Sequence, residues 1–105
     1  PILEKMLKAP GLRGTAAARA LCRLGEIQEA LGHPEKAMPY YQRVYVMYGG
    51  HQAPAAKAYF ASGILFEKLK LWDSAKKTYQ EFLNRHDLAS REEYALAKER
   101  LRSIP

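Results

Sequence analysis

The residues of this 105-residue chain that could do chemistry are three histidines, one cysteine and eleven carboxylates. His33, His51 and His86 fall between stretches of helical periodicity, at turns or helix ends. None has a cysteine or carboxylate at metal-ligand spacing on one helical face, and His33, before Pro34, is expected in solvent. Cys22 is the only cysteine, which excludes an internal disulfide and a multi-cysteine metal site. Arg19 and Arg23 lie near it, but a reactive thiol needs a lowered pKa. The simpler reading of Cys22 is a small, partly buried apolar residue. Glu26/Glu29 and Glu92/Glu93 read as surface charges, and Glu99 lies within helical reach of Arg100 and Arg102. Gly11-Leu12-Arg13-Gly14 is too short for a phosphate loop and follows no strand. No catalytic, cofactor-binding or metal-binding residue is assigned, and no cofactor is expected.

The elements that must carry these residues follow from periodicity. Apolar residues make up 48% and charged residues 27%, which describes a packed domain rather than a disordered chain. No uncharged apolar run reaches the roughly 18 residues of a membrane span, and no secretory signal pattern is present. Shifting the sequence by 38 residues lays 17–48 on 55–86 with nine identical pairs. Gly25/Gly63, Glu29/Glu67, Ala37/Ala75, Tyr41/Tyr79 and Gln42/Gln80 are among them. Lys5, Met6, Leu7 and Gly11 fall on Arg43, Val44, Tyr45 and Gly49 under the same shift. Residues 1–12 therefore read as the end of a preceding repeat, and the chain as a fragment of a longer array.

Within each unit the period is helical. Ala17, Leu21, Leu24, Gly25, Gln28 and Leu31 make one stripe, with Thr15 as N-cap and Gly32 as the stop. Ala37, Tyr41, Val44, Tyr45 and Tyr48 make the buried face of the next helix, opened by Pro34. Pro39 should bend that helix or delay its regular start. Pro54 and Asp73 open the helices of the second unit. Ser90-x-x-Glu93 is a capping box for a last helix carrying Tyr94, Ala97, Leu101 and Ile104. The expected helices span 2–8, 15–31, 34–48, 54–70, 73–86 and 90–103. Loops of two to six residues make neighbours antiparallel.

Leu21-x-x-Leu24-Gly25-x-x-Gln28 followed by Ala37-x-x-x-Tyr41-x-x-Val44 resembles the tetratricopeptide repeat, as does Tyr59-x-x-Ser62-Gly63-x-x-Phe66 followed by Ala75-x-x-x-Tyr79-x-x-Phe82. Gln28 and Ser62 depart from that pattern, and the period is 38 rather than 34. Longer units of this kind are similar to repeats of bacterial cell-envelope proteins, namely outer-membrane assembly lipoproteins and the Tol–Pal accessory protein. That likeness implies an envelope or periplasmic location. The resemblance implies an all-α, right-handed solenoid: a leading half-unit, repeats at 15–50 and 54–87, and a capping helix at 90–105. Gly25 and Gly63 should sit at helix crossings, matched by Ala37 and Ala75, with Tyr41 and Tyr79 wedged between units.

The resemblance also implies a non-catalytic scaffold that binds a peptide or partner domain on its concave surface. Carried over by position, the binding residues are Arg19, Cys22, Glu26 and Glu29 in the first unit. In the second they are Lys57, Phe60, Ile64 and Glu67. Phe60 and Ile64 are one turn apart and form an apolar anchor, with Arg19 and Lys57 placed to meet acidic groups. The alternatives are a structural or self-associating segment of a larger envelope protein, joined through exposed repeat ends, and a nucleic-acid or acidic-surface binder. The net charge of +6 favours the last, but it divides evenly, +3 on residues 1–52 and +3 on 53–105. Lys68, Lys70, Lys76 and Lys77 form the only dense basic run, most simply a solvated face, and nucleic acid is not the expected partner.

Overall fold

A computed structural model describes residues 14–105. The helix expected at 2–8 and the half-unit at 1–12 lie outside the described residues. Among those described, five α-helices occur and no strand: α1 Thr15–Ala30, α2 Pro34–Met47, α3 Gln52–Lys68, α4 Trp72–Leu83 and α5 Glu92–Ser103. A single 3-10 turn, His86–Leu88, separates α4 from α5. α1 packs on α2 and α3 on α4, α2 and α1 both meet α3, and α5 rests on α3 and α4. The architecture is an all-α solenoid of antiparallel helix pairs.

The helix ends correct several expectations. Gly14, not Thr15, is the first N-cap, and the Thr15 hydroxyl is instead hydrogen-bonded to His51 Nδ1 at 2.8 Å. α3 begins at Gln52, before Pro54, which is tolerated in the first turn because the donor it lacks has no helical acceptor there. α4 starts at Trp72 and ends at Leu83, short of His86. The capping box is absent: α5 starts at Glu92 with Arg91 at its N-cap, leaving Ser90 outside the helix. Pro39 lies inside α2, exposed to solvent, and the helix continues through it. The stripe around it, Ala37, Tyr41 and Val44, is fully buried and outweighs one lost backbone bond.

Two chain reversals share one geometry. The His33 amide donates to Gln28 O and the Gly32 amide to Glu29 O, closing α1 in a Schellman motif with Gly32 at φ 80°. Thirty-eight residues on, Leu71 donates to Phe66 O and Lys70 to Glu67 O, with Lys70 at φ 59°. Leu31 and Leu69 occupy the equivalent C-cap positions and are exposed, so Leu31 leaves the buried stripe assigned to it.

The crossing glycines receive tyrosines. A Cβ at Gly25 would lie 2.7 Å from Tyr41 Cζ, and one at Gly63 would lie 2.5 Å from Tyr79 Cζ. Tyr41 and Tyr79 therefore fill the notch within their own unit, and each also belongs to a buried cluster that includes the following helix, Ala58 and Leu65 for Tyr41 and Tyr94 and Ala97 for Tyr79. Ala37 and Ala75 are fully buried, while the atoms nearest each glycine are those of the tyrosine ring. A second set of rings adds to the contact between units. Tyr45 of α2 stacks on Tyr59 of α3 (centroids 4.1 Å apart), Tyr59 stacks on Phe82 of α4 (5.3 Å), and Phe82 meets Tyr94 of α5 edge-on (5.6 Å). Such pairs each add about 0.5–1.5 kcal/mol beyond the area they bury. The ladder joins four successive helices, and Tyr45 and Tyr48, expected on a buried face, are half-buried.

α5 takes the place that the first helix of a further unit would occupy. Displaced by 39 residues, Ala58 and Leu65 correspond to Ala97 and Ile104, and all four are buried. The Tyr94 hydroxyl also donates to Leu83 O at 2.6 Å. On the same displacement Tyr59 and Gly63 correspond to Lys98 and Arg102, both exposed. The outward side of α5 is thus charged where α3 receives its second helix.

Candidate functional site

The groups with potential chemistry are dispersed. His33 lies 4.0 Å from Glu35 with both side chains exposed, His51 bonds Thr15, and His86 is exposed. Among the described residues no three of His, Cys, Asp and Glu stand together as a metal set. Cys22 is 3% exposed, with its Sγ 3.8 Å from Pro54 O. Burial, opposed by the Lys57 charge and aided by Glu26, pushes its thiol up to about 11, so it stays protonated at neutral pH. Cys22 is therefore a buried, neutral thiol.

α1 and α3 lie side by side, and with the start of α5 they line a groove of about 560 Å³. Ala20 and Cys22 of α1 and Ala53 and Pro54 of α3 supply its small residues. Arg19, Arg23 and Glu26 come from α1, Lys57 from α3, and Arg91 and Glu93 from the start of α5. Helical spacing accounts for the set: 19, 22, 23 and 26 follow the i, i+3, i+4, i+7 rule along one face. Glu26 sits between Lys57, which it pairs with across the two helices, and Arg23 at 3.6 Å. These exposed pairs contribute little to stability and leave the lining charged.

The groove thus brings together four of the eight expected binding residues: Arg19, Cys22, Glu26 and Lys57. Phe60 and Ile64 lie further along α3. Phe60 is half-buried, lies 6.4 Å from the Tyr79 ring and packs against the core cluster that Tyr79 and Phe82 share with Tyr94 and Ala97 of the last helix. Glu29 and Glu67 have structural partners. Each accepts a hydrogen bond from the tyrosine that fills its unit's glycine notch, Tyr41 and Tyr79 respectively. Burial first, then the bonded carboxylate, raises both phenol pKa values well above their ordinary range, so both hydroxyls remain donors. Glu29 is also 3.8 Å from Lys68, and Glu67 is held by two nitrogens of Arg100. Arg100, expected beside Glu99 on its own helix, therefore bridges to the preceding unit. Burial raises the Glu67 pKa, but the Arg100 and Tyr79 hydrogen bonds outweigh it, and the carboxyl stays below its ordinary value of 4.5.

Six lining residues were not expected: Ala20, Arg23, Ala53 and Pro54 lie on α1 and α3 beside the expected ones, whereas Arg91 and Glu93 lie beyond both repeats. These last two enter because α5 folds back on α3, and no spacing within the repeats signals it.

The described residues thus form a repeating α-helical module with a groove built from successive first helices. Models of the tetratricopeptide repeat match residues 18–45 and 57–89, together more than half of the chain, which belongs to that family. Its repeats generally mediate protein–protein interaction and are typically non-catalytic. No curated protein and no solved structure matches the chain.

Proposed function

We propose that the groove between α1, α3 and the start of α5 is the docking site for a segment of a partner polypeptide, on the concave side of the solenoid. Residues 15–50 and 54–87 act as the two full units and residues 90–105 as the cap. The observation that carries this reading is the convergence of Arg19, Glu26 and Lys57, from two helices, around a floor of small residues. Small side chains leave the backbone of an extended segment room to approach, and the charged rim supplies orientation. Phe60 and Ile64 continue the Lys57 face of α3 at i+3 and i+7, and they extend the contact as its apolar part.

Filling the groove tests the proposal. Peptides selected from a displayed random library against the wild-type chain should lose binding to Ala20→Trp, while helicity and melting temperature stay near wild type. Peptides that bind Ala20→Trp as well as wild type would place the docking site elsewhere.

A further inference from the structure

Resting on the groove reading above, we propose that the groove selects a segment with acidic side chains along its length, held by Arg19 and Arg91 from opposite walls. The charges lining the groove are four basic, Arg19, Arg23, Lys57 and Arg91, and two acidic, Glu26 and Glu93. Glu26 is shared between Lys57 and Arg23. Among the described residues, the Arg19 and Arg91 side chains have no carboxylate partner. Arg91 Nε is also buried without a hydrogen-bond acceptor. A buried donor of this kind is uncommon, because leaving it unpaired forfeits the hydrogen bond it made to water. A carboxylate in the groove would pair with the terminal nitrogens of this guanidinium and supply the charge partner that it lacks.

Placement argues for side chains rather than a single chain terminus. Arg19 belongs to α1 and Arg91 precedes α5, and both helices pack on α3, which lies between them. Two cations on separate walls call for two anions spaced along an extended segment. Lys57 stands between these walls on α3 and adds positive field even while paired with Glu26.

The experiment uses short fluorescein-labelled peptides with amidated C-termini and fluorescence anisotropy at low and high salt. One peptide alternates Asp or Glu with small apolar residues. The second carries Asn or Gln in their place, and the third is that neutral peptide with a free terminal carboxylate. The acidic peptide should bind about tenfold or more tightly than the neutral one, with the gap narrowing as salt rises. Arg19→Gln and Arg91→Gln should each weaken the acidic peptide by about tenfold and narrow its advantage over the neutral one. Lys36→Gln, on the exposed side of α2, should change neither.

Equal binding of acidic and neutral peptides, both lost in Ala20→Trp, would overturn the acidic preference and leave the groove reading standing. An acidic peptide that binds Ala20→Trp undiminished would remove the groove reading and this one with it. Binding of the third peptide alone would overturn side-chain recognition in favour of a chain terminus. Displacement of the acidic peptide by a single-stranded oligonucleotide at far lower concentration would overturn it in favour of nucleic acid.

Discussion

The two units share a three-residue lock, Gly25–Tyr41–Glu29 and Gly63–Tyr79–Glu67, but differ in how firmly it is closed. In the first, a Cβ at the glycine would meet the ring at 2.7 Å, and Lys68 stands 3.8 Å from Glu29, whose side chain is 29% exposed. In the second the ring lies closer, Arg100 grips Glu67 through two nitrogens, and that side chain is 10% exposed. The flanks differ likewise. Ile27 of α1 is 39% exposed, whereas its counterpart Leu65 of α3 is fully buried. The same residue types at the same offset thus reach different burial, because α3 has α1 and α2 on one side and α4 and α5 on the other. In a stacked repeat, stability is a property of neighbours as much as of the unit.

The sharpest way to break this comparison is to add one methyl group to each glycine. Gly63→Ala should cost about 2–3 kcal/mol and Gly25→Ala about 1–2 kcal/mol, since overpacking is worse where the ring is closer and less free to move. Paired thermal melts decide it. Equal losses would mean the two notches are equally tight in solution.

A second test sharpens the carboxylate difference. Glu67→Gln should lose about 1–2 kcal/mol at neutral pH, and Glu29→Gln less than half of that. Because the folded-state pKa of Glu67 lies below its ordinary value of 4.5, its contribution is complete above about pH 4.5 and disappears as pH falls through the lowered value. The gap between wild type and Glu67→Gln should therefore be constant above pH 4.5 and close below it. Denaturant midpoints across that range measure the gap, and one that persists to the lowest pH would mean that the charge is not what stabilises.

The smallest effect is expected at the reversals. Gly32 and Lys70 hold the same left-handed position, but only Lys70 carries a Cβ there. Lys70→Gly should raise stability by about 0.5–1 kcal/mol, whereas Gly32→Lys should lower it by a similar amount. A loss of stability in Lys70→Gly would show that the lysine side chain makes up for its backbone conformation.

The sequence by itself determined the helix pairs, their 38-residue spacing and the glycine crossings. These depend on period, on small residues at fixed offsets and on short loops, all local or repeated properties. It also placed Arg19, Glu26 and Lys57 on one face, because helical spacing alone puts them there. Tertiary structure decided the rest. Which ring fills a glycine notch depends on the angle between two helices, so Tyr41 and Tyr79 entered the notches while Tyr45, Tyr59, Phe82 and Tyr94 stacked into a ladder across four helices. Cys22 became buried because α3 covers it, and Glu29 and Glu67 became structural because a tyrosine hydroxyl reaches each from the paired helix. Arg91 entered the groove, and Arg100 crossed to Glu67, only when α5 packed against α3. These positions are set by contacts between different helices, across sequence separations from 12 residues for Tyr41 and Glu29 to 33 for Arg100 and Glu67, which spacing along one helix does not reach.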